Sequence, residues 1–476
     1  MVRPRDLEAI AGGVRAGVLA REGAIVPPAG FSGRGVMADA DVIILGAGLA
    51  GLAAANHLGR AGVSVTIVEA RDRIGGRVLT RHLPDVGYPI ELGPEWFDAD
   101  GAVHRLLAGS RVRMRAAEGS FLRRTPTGIE RPGDGGGAAD ELKRRLRTIA
   151  GRDRSLASAL DSCCAGEEFA AERAALLGYV QGFDAADPAS VSLRWFLEVE
   201  ENQPAQAAEI RALDGADGAV DALQRGLGPR CAVLLGLVAR AVRWQPGNVE
   251  VEIESTGGVV RTLTAQSIIV TLPLSVLALP TGERGAVTFA PALQQKQAAF
   301  AGLATGPVIK VVLVFDEAFW TDTSPLDQML FIQDFTQPVP TWWTTRPAGA
   351  PILTGWAAGP QVARLAERRG DALLAAAVDS VSSAIGVSRA VVGAHLRSWH
   401  SHDWQRDPFA RGAYSWVVAG GIDAHRVLAE PLQQTLYFAG EATCGRGLNA
   451  TMDGAIESGW RAAKELLAAR GAAASS

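Results

Sequence analysis

The chain has 476 residues, which at ~150 residues per domain suggests about two or three domains. Its composition, 48% apolar and 21% charged, is ordinary for a globular chain and excludes wholesale disorder or a collagen-like architecture. The 47 basic residues against 51 acidic ones leave a net charge of −4, without the basic excess usual in nucleic-acid binding.

Only four of the basic residues are lysines: Lys143, Lys296, Lys310 and Lys464. No run reaches the ~18–20 apolar residues of a membrane helix, so no membrane partner is expected. Residues 1–37 lack the apolar core of a secretory signal and read as a flexible extension. Cys163, Cys164, Cys231 and Cys444 form no disulfide framework, and no Cys/His spacing suggests a metal site. The adjacent Cys163 and Cys164 read as two thiols before a vicinal disulfide, and a reducing, cytoplasmic setting is expected.

The first patterned segment, 41–58, reads as a buried parallel strand, a glycine turn and an Ala/Leu-rich helix. Gly46 permits the tight turn, Gly48 lets backbone approach a pyrophosphate, and Gly51 allows close helix–strand packing. A second strand, 63–69, ends in Glu69, placed 18 residues beyond Gly51 as a carboxylate on a ribose hydroxyl would be. Glycine turns are common; strand, glycines, helix, strand and acid in register are not. Ala70, Arg71, Gly75, Gly76 and Arg77 follow directly, with amides and cations that suit more of a diphosphate than a nicotinamide enzyme needs.

With this second glycine pair the chain resembles the flavin-containing amine oxidases, the monoamine and polyamine oxidases and their relatives. The resemblance spans about 38–470 and implies an α/β fold of two domains. One is an FAD-binding Rossmann-like domain from 38–98, 211–285 and 397–470; the other is an interleaved α+β substrate domain from 99–210 and 286–396. The segment 91–97 falls at the family's glycine-rich stretch beside the isoalloxazine ring. That assigns Gly93, Pro94, Glu95 and Trp96 to the cofactor, with Pro94 and Glu95 replacing the usual small residues.

Residues 100–210 have helical spacing and predict a mostly helical insertion. A hairpin over 249–264 and a buried strand over 267–273 follow. The resemblance places a valine near here, Val238, with its backbone on the adenine. In 306–320 a continuous apolar run implies burial on both faces, where a lysine is costly unless paired. Lys310 either snorkels outward from a strand end or, as the resemblance implies, bonds through water to flavin N5 and helps dioxygen accept electrons.

Segments 340–344 and 353–356 are tryptophan-rich and β-like, each ring as readily core as cavity wall; 361–395 returns to helix. The stretch 399–416 resembles the family's Trp…Gly-x-Tyr segment. It assigns Trp404 to the cofactor and to catalysis, and Tyr414 to one wall of an aromatic cage, although a strand tyrosine packed in the core has the same pattern. Ala413 stands where members with covalent flavin carry cysteine, so FAD is expected to be non-covalent. Gly440 and Glu441 fall at ribityl or phosphate contacts, and Asn449 or Thr451 can cap the next helix. The N-terminus of that helix, with Met452 and Ala455, is expected to face the flavin pyrimidine and favour anionic reduced flavin. The second cage aromatic is not evident at 448–451, so Phe97, Trp342 and Asn449 are the pocket candidates.

The expected function is an FAD-dependent oxidase that takes a hydride from an amine, yields an imine or carbonyl compound and reduces dioxygen to hydrogen peroxide. Alternatives on the same scaffold are a dehydrogenase or desaturase and an L-amino-acid oxidase, which needs a cation for the substrate carboxylate. A flavin-binding interaction protein is the alternative of another class. Expected partners are a small amine and dioxygen, no nucleic acid, and a second copy of the chain as the one protein partner considered.

Overall fold

The strand Ala40–Leu45 is the first element of the computed structural model, which describes residues 40–132, 136–202, 209–255, 257–445 and 447–474. The expected extension 1–37 lies outside these residues. Ala40–Leu45 runs parallel to both Val65–Val68 and the second half of Val260–Val270. Parallel strands need a crossover, and Leu49–Arg60 supplies it, burying Leu52 and Leu58 against the C-terminal helix Met452–Ala474. Each such leucine contributes roughly 1.5–3 kcal/mol of burial.

The full order of this first sheet is Cys231–Leu234, Val65–Val68, Ala40–Leu45, Val260–Val270, Asn248–Ser255, Leu237–Gln245, Thr288–Ala290, with Leu436–Phe438 also parallel to Val260–Val270. The predicted hairpin is present, with Glu254 opposite Val260. The strand expected at 267–273 is not separate; it continues Val260–Val270, whose first half pairs antiparallel and whose second half pairs parallel.

A second sheet orders its strands Leu396–Asp403, Val308–Phe315, Ile352–Ala358, Thr341–Thr344, Met329–Gln333, Ser120–Thr125, Gly128–Glu130. Val308–Phe315 is buried at every position, as its apolar run predicts. Ile309, Val311 and Leu313 face the helix Gly370–Ile385, while Val312 and Val314 face Ile90 and Leu92.

Three expectations change here. Leu396–Asp403 pairs with Val308–Phe315, so 397–403 belongs to the second sheet and not to the nucleotide-binding one. Thr288–Ala290 pairs with Leu237–Gln245, so the first sheet extends past 285. The insertion 100–210 is only partly helical: Ser120–Thr125 and Gly128–Glu130 form the edge of the second sheet, before helices Gly136–Ile149, Leu156–Cys163, Ala170–Gly182 and Leu193–Asn202. In each case a ladder partner is remote in sequence, so local pattern does not reveal sheet membership, although Ser120–Thr125 and Gly128–Glu130 also pair with each other as a local hairpin. All described residues fall within one compact unit, so the two sheets are lobes of a single body.

Candidate functional site

The glycine turn forms as its spacing predicts. Gly46 has φ +103, and the Thr271 hydroxyl holds the turn by donating to the Leu45 and Gly46 carbonyls. A Cβ on Gly51 would lie 2.0 Å from the Gly46 carbonyl oxygen, so only glycine lets the helix dock. Gly48 differs: no protein atom comes nearer than 3.9 Å to its absent Cβ, and the helix it precedes has no side-chain cap. The first amides of that helix therefore remain available to an anion.

Glu69 is buried, with Oε2 accepting from the Ala47 amide at 2.8 Å and Oε1 from the Arg71 amide at 2.9 Å. Each carboxylate oxygen keeps acceptor capacity for a diol. Ala70 lies between these partners, and the Leu237 amide donates to the Glu69 carbonyl, which brings Val238 beside the same corner. The second glycine pair closes on the first through a bridge between Gly48 and Gly75.

The two arginines expected on a diphosphate have other partners. Arg71 pairs with Asp407 at 2.7 Å, lies over the Phe409 ring and comes within 3.8 Å of Glu69 Oε1. Arg77 pairs with Glu441 at 2.8 Å and donates to the Ala413 carbonyl, and it does line the cleft bounded by Val270, Phe438, Gly440 and Glu441. The unforeseen Arg73 holds the loop itself, donating to the carbonyls of Ile74, Gly76 and Val78.

At the chain's end, Glu441 is buried and accepts from Arg77, the Ser415 hydroxyl and the Ala450 amide. Burial alone would raise its pKa, but Arg77 and these donors hold it below the usual range. Gly440 has φ +122 with open space where a Cβ would stand. Thr451, and not Asn449, caps Met452–Ala474 by accepting from the Gly454 amide. Asn449 instead bridges Trp195 and the Ser415 carbonyl and is buried, so its pocket assignment is withdrawn. Met452 is buried in the core of the first lobe, with Ala455 packed at its edge. Two glycine turns, an uncapped helix, a ribose carboxylate and the open Gly440 corner together fit a dinucleotide such as FAD.

The second sheet brings Lys310 to this region. Its ammonium donates to the Gly93 carbonyl at 2.9 Å and to Glu95 Oε1 at 2.6 Å. It is fully buried and paired, so the snorkelling alternative fails. Trp404 is buried beside it in the fold and donates from its indole to the Leu92 carbonyl. Pro94 joins Gly93 to Glu95, and the Trp96 ring lies under the Arg211 guanidinium, 3.9 Å from ring centre to Cζ.

A row of rings crosses the same face: Phe121, Phe331, Trp343, Trp356 and Tyr414, at successive centroid separations of 4.9, 5.7, 5.8 and 6.5 Å. Trp356 and Tyr414 are nearly parallel, 13° apart. Their polar tips donate to the consecutive carbonyls of Gly182 and Phe183, which fixes both rings. Asp184 follows in that loop, and burial, helped by Glu200, pushes its carboxyl up to about 8.

Two pocket assignments are corrected by this register. Trp342 is a core residue whose indole donates to the Val339 carbonyl; its neighbour Trp343 faces the site, because adjacent strand residues point to opposite faces. Phe97 likewise packs in the first lobe's core, leaving Trp96 toward the rings of the second. Trp343 and Trp356 were left open between core and cavity wall, and Arg211 was not foreseen. Only strand register could have selected those tryptophans, and Arg211 carried no sequence signal.

A family model described as flavin containing amine oxidoreductase matches residues 49–117 and 137–467. Lysine-specific histone demethylase 1 homolog 1 of Oryza sativa subsp. japonica is 26% identical over 474 residues, covering 90% of this chain and 52% of that protein. The chain thus spans about half the length of that relative. Amine oxidase [flavin-containing] B of Bos taurus is 24% identical, covering 90% of this chain and 86% of its own. Among solved structures, putrescine oxidase bound to putrescine matches with a TM-score of 0.74 at 20% identity, over 90% of this chain and 99% of that one. Cyclohexylamine oxidase from Brevibacterium oxydans matches with a TM-score of 0.73 at 23% identity, over 91% and 99%.

Proposed function

The chain belongs to the flavin-containing amine oxidoreductase family, and from that premise we propose that it oxidises a small apolar amine on non-covalent FAD, with dioxygen reduced to hydrogen peroxide. One observation carries the reading: a buried ammonium, Lys310, stands where the glycine segment at 93–96 meets a row of aromatic rings. FAD, when bound, supplies the hydride acceptor and the route of electrons to dioxygen.

The chain's own residues do the rest. The amides at the start of Leu49–Arg60 and the Glu69 carboxylate hold the dinucleotide end. Trp356 and Tyr414, fixed by the Gly182 and Phe183 carbonyls, orient an apolar amine, and the ring row keeps water away from it. Ala413 offers no thiol for a covalent link. A substrate carboxylate would need a cation of its own, whereas the buried Arg211 faces Glu95 and donates to the carbonyls of Thr344 and Arg346. That favours an amine over an amino acid.

Anaerobic mixing of the yellow protein with a panel of primary and secondary amines, including a methyl-lysine peptide, tests this. At least one amine should bleach the flavin and release peroxide when air returns. A flavin that none of them bleaches refutes the amine reading; rapid bleaching with slow recovery in air refutes the oxidase reading. Acid denaturation should release all the FAD into solution, and flavin retained on the chain would refute non-covalent binding.

A further inference from the structure

Three side chains from three separate segments meet around one carboxylate. Glu95 Oε1 accepts from Lys310 at 2.6 Å, and Oε2 faces the Arg211 guanidinium and the Trp343 indole N–H, both at 3.1 Å. Lys310 is 1% exposed, Arg211 2% and Glu95 8%, so no bulk water shares the charge. Arg211 is fixed from behind by the Thr344 and Arg346 carbonyls, and Trp96 covers its face. With the Gly93 carbonyl taking a second N–H, Lys310 has one N–H left without a partner among the described residues.

We propose that Glu95 is the positioning residue of the site lysine: its carboxylate, shared with Arg211, aims the Lys310 ammonium and holds it protonated, leaving one N–H for the reacting centre. Desolvation makes this pairing necessary. A buried ammonium is expelled of its proton unless a carboxylate compensates it, and a second buried cation makes the expulsion stronger. Burial would raise the Glu95 pKa, yet Lys310 and Arg211 hold it below the usual range, so the compensating charge is present. The charged or titratable groups facing Lys310 are Glu95 and Glu91 from the 90–97 segment, Arg211 from Glu209–Ala212, and His402, directly across the ladder; Tyr88 borders Arg211. Removing Glu95 leaves two uncompensated cations within this cluster.

The proposal rests on the reading that Lys310 serves the flavin, but its test does not. With only four lysines in the chain, [13Cε]lysine labelling of the apoprotein yields four resolvable signals, and Lys310→Met assigns the relevant one. In Glu95→Gln the Lys310 titration midpoint should fall by at least about one pH unit, a tenfold change in the neutral fraction at a given pH. Glu95→Asp should restore most of it. Arg211→Met should move the midpoint the other way, upward, because a like charge is gone. A Lys310 midpoint indifferent to Glu95→Gln overturns the proposal. Should that variant not accumulate, Arg211→Met decides, and an unchanged midpoint there overturns it equally. If the midpoint shifts as expected while flavin reoxidation in Lys310→Met matches the parent, the positioning stands and the proposed use of the lysine falls.

Discussion

The glycine turn offers a prediction in which two substitutions three residues apart separate folding from cofactor binding. A methyl group at Gly51 would stand 2.0 Å from the Gly46 carbonyl oxygen and 3.2 Å from the Thr271 hydroxyl. The first distance is well over 1 Å inside ordinary contact at ~3.5 Å, and the obstacle is backbone in a turn with φ +103, which cannot swing aside. Overpacking of this kind costs ~3 kcal/mol or more, of which alanine's better helix propensity returns about 1 kcal/mol. Gly51→Ala should therefore lose at least ~2 kcal/mol, read as a lowered urea midpoint in apoprotein and holoprotein alike. At Gly48 the nearest atom to a new methyl is Gly76 Cα at 3.9 Å and φ is −75, so the apoprotein should lose under ~1 kcal/mol, the cost of alanine at a helix start. The space it fills is the approach to the uncapped helix amides. Gly48→Ala should fold normally and emerge from gel filtration with little FAD. Equal flavin content in Gly48→Ala and the parent, or an unshifted urea midpoint in Gly51→Ala, would refute the reasoning.

The two buried lysines should separate in the same way. Lys296 donates to the carbonyls of Val427 and Glu430 at the end of Ala424–Ala429, so Lys296→Met should lower stability by ~1–3 kcal/mol, read from the urea midpoint, and leave flavin reoxidation unchanged. Lys310→Met should slow reoxidation far more than reduction in stopped-flow traces. Trp342→Ala should destabilise by ~3–5 kcal/mol as a core truncation, while Trp356→Phe, which keeps a ring but releases the Gly182 carbonyl, should alter amine preference with little change in unfolding. Burial raises Glu91 from the ordinary 4.5 to about 8. The folded state then holds a proton that the unfolded chain releases, so this contribution to stability is complete below about pH 4.5 and lost as pH rises through 8. Glu91→Gln should flatten the fall in unfolding free energy between pH 5 and 9, on the order of 3–5 kcal/mol at most and read from urea midpoints; an equal slope in both proteins would place the titration elsewhere.

Much of the nucleotide end is written locally in the chain. Gly46, Gly48, Gly51 and Glu69 lie within 24 consecutive residues, and steric rules for a strand–turn–helix give each an expected role; the structure forms the turn at Gly46, the close packing at Gly51 and the buried carboxylate of Glu69. The arginines were less legible. A guanidinium reaches far, and whether Arg71 meets a phosphate or Asp407 depends on a residue 336 positions away. The tryptophans show the same limit at closer range: Trp342 and Trp343 differ by one position, and the pleat sends one to the core and the other to Glu95.

The chain by itself determined the dinucleotide turn, the buried strand around Lys310 and the absence of a thiol at Ala413, because each depends on residues adjacent in sequence. Only the tertiary structure decided sheet membership at 288–290 and 396–403, the row of rings, and the carboxylate shared by Lys310 and Arg211. These depend on contacts between segments that are not neighbours in the sequence, some of them more than 200 residues apart. Among four lysines the sequence pattern singled out one as buried; the fold buries two, and of these Lys310 meets a carboxylate, Glu95, while Lys296 meets backbone carbonyls.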